Sequence, residues 1–160
     1  TDHGVIVSRW MYDQPTSPYY KDLVKFTGNC DRKQHYEVSI PAIALNRSTY
    51  TPAGTGGPDA PMVDDTYINI SYNFMTPVDE HNTQYIWFQH RNTDPTDKAI
   101  SEKMNAGAIM AFNEDKEILE AVHKGMDAMF TSNIDLGLDL GAKTFRLKLQ
   151  RMIDAEQADA

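Results

Sequence analysis

One carboxylate in the sequence lies among side chains that would normally exclude it. Asp115 falls in a proline-free stretch from Asp97 to Phe130. At helical spacing, apolar side chains surround it within about 60° on the helix surface; they are Met104, Ala108, Ala111, Phe112, Ile118, Leu119 and Val122. A buried, unpaired carboxylate costs several kcal/mol or takes up a proton, and a metal cation is one compensation. The pattern therefore makes Asp115 a candidate metal ligand.

A second interpretation of the same residues needs no metal. If the helix breaks near Phe112, Asn113 becomes an N-cap, and Glu114 and Asp115 fill the first turn of a new helix, where the dipole favours acids. The apolar stripe runs without interruption from Met104 to Val122, which favours one continuous helix. Both interpretations stay open at this point.

The remaining metal-binding residue types do not complete a site by their spacing. No two histidines stand four or five residues apart; they are His3, His35, His81, His90 and His123. The single cysteine, Cys30, cannot form an intrachain disulfide or hold a zinc ribbon or an iron–sulfur cluster by itself. This cysteine content fits a reducing compartment, so we expect a cytoplasmic protein.

Charge and hydropathy restrict the partners of the chain. The net charge of −8 argues against nucleic acid, because phosphate binding needs a basic surface. No apolar run reaches the roughly 18 residues of a membrane helix, so we expect no membrane partner. A length of 160 residues predicts a single domain over 1–160.

The elements that must position these residues are strands first and helices last. Alternating segments rich in β-branched and aromatic residues predict four strands, at Gly4–Tyr12, Tyr36–Leu45, Tyr67–Met75 and Gln84–Arg91. The last two should pair as an antiparallel hairpin. Asp94 and Pro95 predict the start of a long helix, and a second helix should run from Leu140 to Gln157. This order predicts an α+β fold, with helices on one face of an antiparallel sheet.

Several segments resemble Rieske-type non-haem iron oxygenases of the vanillate O-demethylase type. They are Tyr85–Asn92 followed by Asp94, Ala111–Glu120, the C-terminal stretch Asp135–Gln157, and the opening Asp2–Val5 with Arg9 and Trp10. Together they cover nearly the whole chain. The resemblance implies a helix-grip (START/Bet v1-like) catalytic domain, in which an antiparallel sheet has a long helix packed on it.

The resemblance also implies the cofactors. In that family two histidines and one aspartate hold a mononuclear Fe(II), and a Rieske [2Fe–2S] cluster delivers electrons. Asp115 occupies the position of the carboxylate ligand. The family segments that supply both histidine ligands and the cluster ligands are absent, and both would precede Thr1. We therefore expect the C-terminal part of a catalytic domain, inactive by itself.

The implied function is an oxygenase that hydroxylates or O-demethylates an aromatic substrate with O₂. It would receive electrons from a reductase or ferredoxin and form a homotrimer when intact. The residues predicted to bind substrate are Asn69, Ser71, Asn73, Trp87, Ala106 and Ala108. Asn73 matches a position that contacts the aromatic acid in a related demethylase. Alternatively, the polar side chains of the strand at Tyr67–Met75 face solvent, and Trp87 belongs to the hydrophobic core. A further alternative for the whole chain is a helix-grip module that binds hydrophobic ligands without metal.

Overall fold

The computed structural model describes residues 1–129 and 135–158. Within them, five strands precede two α-helices: β1 (Gly4–Gln14), β2 (Cys30–Ser39), β3 (Ile43–Pro52), β4 (Tyr67–Pro77), β5 (Thr83–Arg91), α1 (Lys98–Met129) and α2 (Leu140–Ala158), with a short 3₁₀ turn at Gly137–Asp139. The α+β prediction is confirmed, and a five-stranded antiparallel sheet followed by helices is consistent with a helix-grip-like fold. In the part of the chain described, no helix combines the length and the apolar character needed to cross a membrane.

The five strands form one antiparallel sheet in sequence order, β1-β2-β3-β4-β5. The predicted hairpin between β4 and β5 is confirmed, with Asn73 opposite Trp87. Cross-strand partners point to the same side of a sheet, so the register defines two faces. We call the one that carries Asn69, Ser71 and Asn73 the asparagine face. The other, which carries Ile68, Ile70, Tyr72 and Phe74, is the opposite face.

The predicted single strand from Tyr36 to Leu45 is wrong. The chain turns at residues 40–42, and Leu45 belongs to β3, where it pairs with Glu37 of β2. Pro41 lies in that turn. Proline has no backbone N–H to donate and a fixed φ, so it ends a strand ladder more readily than it continues one.

Helix α1 begins three residues after the predicted Asp94–Pro95 signal. The backbone N–H of Ile100 donates to Asp97 Oδ1 at 3.1 Å, which makes Asp97 the N-cap. The helix continues through Asn113 and Asp115 without interruption. The interpretation with a break near Phe112 is therefore wrong, and the continuous helix is confirmed as far as Met129; Phe130 lies outside the described residues.

The chain divides into two compact units. One comprises Thr1–Thr93 with Gly137–Ala160, and so contains the sheet and α2; the other, Asp94–Leu136, contains α1. In the first unit α2 packs on β1. A Cβ added to Gly141 would lie 2.7 Å from Val7 Cγ2, and Lys148 Nζ donates to the Gly4 carbonyl oxygen at 3.1 Å. The single-domain organisation stays a prediction.

One buried carboxylate holds the start of the β3–β4 connection. Asp31 is 1% exposed, and its Oδ2 accepts the backbone N–H groups of Gly54 at 2.8 Å and Gly56 at 2.9 Å. Its Oδ1 accepts the N–H of Asp13 at 3.0 Å. Burial by itself would raise the pKa of Asp31, but these backbone donors outweigh it and hold the pKa below its ordinary value. The first residues of the β3–β4 connection are therefore anchored to the sheet.

Candidate functional site

The asparagine face is polar where it is most buried. In β4, Tyr67, Asn69 and Ser71 are 1%, 2% and 7% exposed, whereas the intervening Ile68 and Ile70 are only half-buried. Alternating strands normally bury their apolar side, so this strand reverses the usual pattern. The solvated-face alternative is wrong for Asn69 and Ser71.

Several polar atoms on this face lack a partner. Within the described residues, Asn69 Oδ1, Ser71 Oγ and Tyr67 OH are buried without a hydrogen bond. Asn69 uses its amide nitrogen, which donates to Tyr20 OH at 3.3 Å. An unsatisfied buried polar group costs about 1–3 kcal/mol, so these three on β4 make the asparagine face a candidate surface for a polar ligand atom.

Three tyrosines form one wall of this polar region, and sequence reasoning missed all of them. The ring of Tyr20 lies 5.1 Å from that of Tyr50 and 5.5 Å from that of Tyr67, measured between centroids. Burial raises the pKa of each of these phenols. They are therefore neutral hydrogen-bonding groups at ordinary pH. The adjacent aromatic pair Tyr19 and Tyr20 in the β1–β2 connection is the one signal that could have pointed to them.

Asn73 and Trp87 lie side by side farther along the same face. They are cross-strand partners on β4 and β5, and both are half-buried. Tyr85 OH donates to Asn73 Oδ1 at 2.6 Å, and Asn73 Nδ2 donates to the Ala44 carbonyl oxygen at 3.4 Å. The structure thus brings Asn69, Ser71, Asn73 and Trp87 onto one face, with the amide of Asn73 held in a fixed orientation.

An apolar groove of about 970 Å³ begins next to Asn73. Ala44, the cross-strand partner of Asn73, and Met75 line it on the sheet side. On the other side it is bounded by α2, through Leu140 and Phe145. Further lining comes from Val5, Val7, Tyr36 and Val38. A flat apolar ligand fits such a surface, and the neighbouring polar groups would orient its polar end.

The second unit carries Asp115, Ala106 and Ala108 on α1. Met104 and Ala108 are buried, at 6% and 5% exposed, whereas Ala106 is exposed. Residues two apart in a helix point in nearly opposite directions, so Ala106 and Ala108 cannot line one pocket. Of the two, only Ala108 has the burial that such a role requires.

Asp115 lies on the same helix stripe as Met104 and Ala108 but is exposed. The stripe stays exposed beyond it, since Ile118, Leu119 and Val122 are 57%, 67% and 52% exposed. The carboxylate thus bears no desolvation penalty that a metal must relieve. Its role as a ligand stays a prediction, which now depends on the family resemblance and not on burial.

The described residues do not by themselves fit the iron centres that the resemblance implies. Among residues 1–129 and 135–158, no three histidine, cysteine or acidic side chains converge to hold a metal ion. A facial triad needs two histidines with the carboxylate, and a Rieske cluster needs two cysteines and two histidines. The single cysteine, Cys30, is buried and its Sγ donates to the Gln14 carbonyl oxygen at 3.2 Å. An iron centre of either kind would therefore need ligands from beyond the described residues.

A family model described as the vanillate O-demethylase oxygenase C-terminal domain matches residues 1–155. The chain belongs to this family. The suspected resemblance to this family is therefore confirmed over nearly the whole chain.

Two curated relatives support the assignment to the vanillate O-demethylase C-terminal family. The iron–sulfur subunit of the toluene-4-sulfonate monooxygenase system of Comamonas testosteroni is 31% identical over 151 residues, which are 94% of this chain and 44% of that protein. The vanillate O-demethylase oxygenase subunit of a Pseudomonas species is 27% identical over 160 residues, 96% of this chain and 48% of that protein. The chain thus spans about half the length of these relatives. No solved structure matches it significantly.

Proposed function

We propose that this chain forms the C-terminal part of the catalytic domain of a Rieske-type mononuclear iron oxygenase. The intact enzyme would hydroxylate or O-demethylate an aromatic substrate with O₂. One structural observation supports this assignment beyond family membership: buried polar side chains lie beside an apolar groove on one face of the sheet. An aromatic compound with a polar substituent has the complementary chemistry.

The asparagine face would bind and orient the substrate. Its apolar ring would lie along the groove near Ala44 and Met75, with Trp87 beside Asn73 as an aromatic contact. Asn73, Asn69 and Ser71 would receive the polar substituent. Positioning of this kind and exclusion of water are the contributions that a binding surface makes to an oxygenase reaction. Ala108, on α1 in the second unit, stays a predicted substrate-binding residue.

Asp115 would supply the anionic ligand to the iron. An exposed carboxylate is accessible to a metal whose other ligands come from elsewhere in the polypeptide, and family members of about twice this length have room for them. When bound, iron would supply the activation of O₂. The electron donor would be a reductase or ferredoxin, and the intact enzyme would be a homotrimer.

The test replaces Asp115 in the intact oxygenase subunit. Asp115→Ala should remove the mononuclear iron and abolish turnover, while the visible absorption of the Rieske cluster is unchanged, because the cluster has other ligands. Metal analysis and spectroscopy of the same sample measure both. Glu114→Gln is the matched control, since it alters an exposed acid next to Asp115 and should leave iron and turnover intact. Retention of the mononuclear iron in Asp115→Ala would contradict the proposed ligand.

The apolar groove also supports the second candidate, a hydrophobic-ligand module without metal. In that case, aromatic compounds should bind with the same affinity whether or not iron is present, and Asp115→Ala should not alter binding or any other property. Calorimetric titration of iron-loaded and iron-depleted protein with one aromatic acid distinguishes the two candidates.

A further inference from the structure

A small cleft on the opposite face of the sheet gathers basic side chains, although the chain carries a net charge of −8. Lys33 and His35 of β2 and Arg47 of β3 line it. His35 and Arg47 are direct cross-strand partners, so their side chains project from neighbouring positions. The cleft has a volume of about 270 Å³.

The walls of the cleft are preformed. One side is lined by Thr55–Pro58 and Ala60–Met62 of the β3–β4 connection, which is anchored where Gly54 and Gly56 donate to Asp31. Gly56 has no space for a side chain, because an added Cβ would lie 2.6 Å from Asp31 Cβ and 2.7 Å from the Trp10 ring. Trp10 lines the other side, with Lys33 Nζ 5.9 Å from its ring centroid.

One nitrogen of Arg47 is left unsatisfied within the described residues. In the part of the chain that the structure describes, its Nε is buried and has no acceptor. The described residues that line the cleft include no acidic side chain. The nearest acids on the same elements are already engaged: Glu37 Oε2 lies 3.4 Å from His35 Nε2, and Asp31 accepts backbone N–H groups. A guanidinium is always charged and is a strong donor to planar oxyanions, so an acceptor from outside the chain is expected.

We propose that this cleft binds a small oxyanion. The guanidinium of Arg47 and the ammonium of Lys33 would hold the charged oxygens, with the hydroxyl-bearing Thr49 and Thr51 beside them. Inorganic phosphate and the carboxylate of a small aromatic acid offer the same chemistry. Trp10 and Met62 add apolar surface that only the aromatic acid would use. The site lies on the face of the sheet opposite Asn69 and Ser71, so it is separate from the proposed substrate surface.

The experiment titrates the ¹⁵N-labelled chain with sodium phosphate and, separately, with sodium benzoate at constant ionic strength. The Arg47 Nε–Hε resonance and the amides of Thr49 and Thr51 should shift and saturate. Arg47→Gln should weaken binding by roughly tenfold or more, because it removes a charged donor from the site. Arg9→Gln is the matched control, since it removes an exposed arginine from the asparagine face and should bind as the unmodified chain does.

The two anions distinguish the sources of the oxyanion. Equal affinities indicate a site that recognises charge alone, and tighter binding of benzoate indicates an organic acid; both results support the proposal. The proposal is overturned if neither anion produces saturable shifts, or if Arg47→Gln binds as tightly as the unmodified chain. If Arg47→Gln does not fold, Lys33→Gln replaces it, with Arg47 Nε–Hε still available as the reporter and the same criterion.

Discussion

At the scale of single residues, the unusual feature is a group of polar side chains buried where apolar ones would be cheaper. Asn69 and Ser71 are nearly inaccessible, and each has an oxygen without a partner among the described residues. A site built to bind a polar group leaves its own polar atoms unpaired when the ligand is absent. Stability and binding should therefore respond in opposite directions to mutation here.

Replacing Ser71 by alanine tests this trade-off. Removal of an unsatisfied hydroxyl should stabilise the chain by about 1 kcal/mol, since the desolvation cost disappears, and should weaken binding of an aromatic acid. Urea unfolding and calorimetric titration measure the two effects. Thr76→Ala, at an exposed position on the opposite face and outside the groove, should change neither by more than about 0.5 kcal/mol. A Ser71→Ala protein that is less stable and binds normally would contradict this account of the asparagine face.

At the scale of elements, the start of α1 depends on a single side chain. Asp97 Oδ1 accepts the Ile100 N–H, and Asp97 also accepts through its carbonyl oxygen from Ser101 Oγ at 2.8 Å. The sequence signal at Asp94 and Pro95 indicated the right region but not the capping residue. Asp94 instead has a positive φ of 44°, which makes it part of the turn before the helix.

Loss of the Asp97 cap should destabilise the first turn of α1. Asp97→Ala should cost about 1 kcal/mol, because the first N–H groups of the helix lose their side-chain acceptor. The measurement is amide hydrogen exchange, with faster exchange expected at Ile100 and Ser101 and little change in the sheet. Glu117→Ala, at an exposed position in the middle of the helix, serves as the comparison. Unchanged exchange at Ile100 in Asp97→Ala would show that the cap does not hold this turn.

At the scale of the whole chain, Asp31 connects three segments that are distant in sequence. It joins β2 to the irregular register of β1 at Asp13 and to the β3–β4 connection at Gly54 and Gly56. Because the pKa of Asp31 is lowered in the folded state, its charged form stabilises the fold. That stabilisation is complete above the ordinary aspartate pKa of about 3.9 and is lost as the pH falls through the lower folded-state value.

The substitution Asp31→Asn should therefore destabilise the chain near pH 7 by about 2–3 kcal/mol, since hydrogen bonds to a charged acceptor are lost. The difference from the unmodified chain should shrink in acid, where Asp31 is protonated in both folded and unfolded states. Urea unfolding across pH measures this. Asp59→Asn, at an exposed loop position, should unfold like the unmodified chain at every pH. A deficit for Asp31→Asn that did not depend on pH would show that its charge is not the cause.

Local patterns in the sequence were sufficient to predict which elements are strands and which are helices, and much of the length of each. Alternation predicted β4 and β5 and their pairing, and helical periodicity predicted a continuous α1. The same patterns did not reveal the turn at Pro41, because two strands joined by a short turn have the same composition as one long strand. Family membership was also recoverable from short motifs in the right order.

What the sequence determined is which residues share a face: Asn69, Ser71 and Asn73 on one side of β4, and Ile68 and Ile70 on the other. Only the tertiary structure decided which face is covered, since Tyr20, far away in sequence, lies against Asn69 and the apolar side is left half-buried. The same holds for Asp115, whose stripe is buried at Ala108 and exposed beyond Phe112. Periodicity depends on local backbone geometry, whereas burial depends on segments that the chain brings together only on folding.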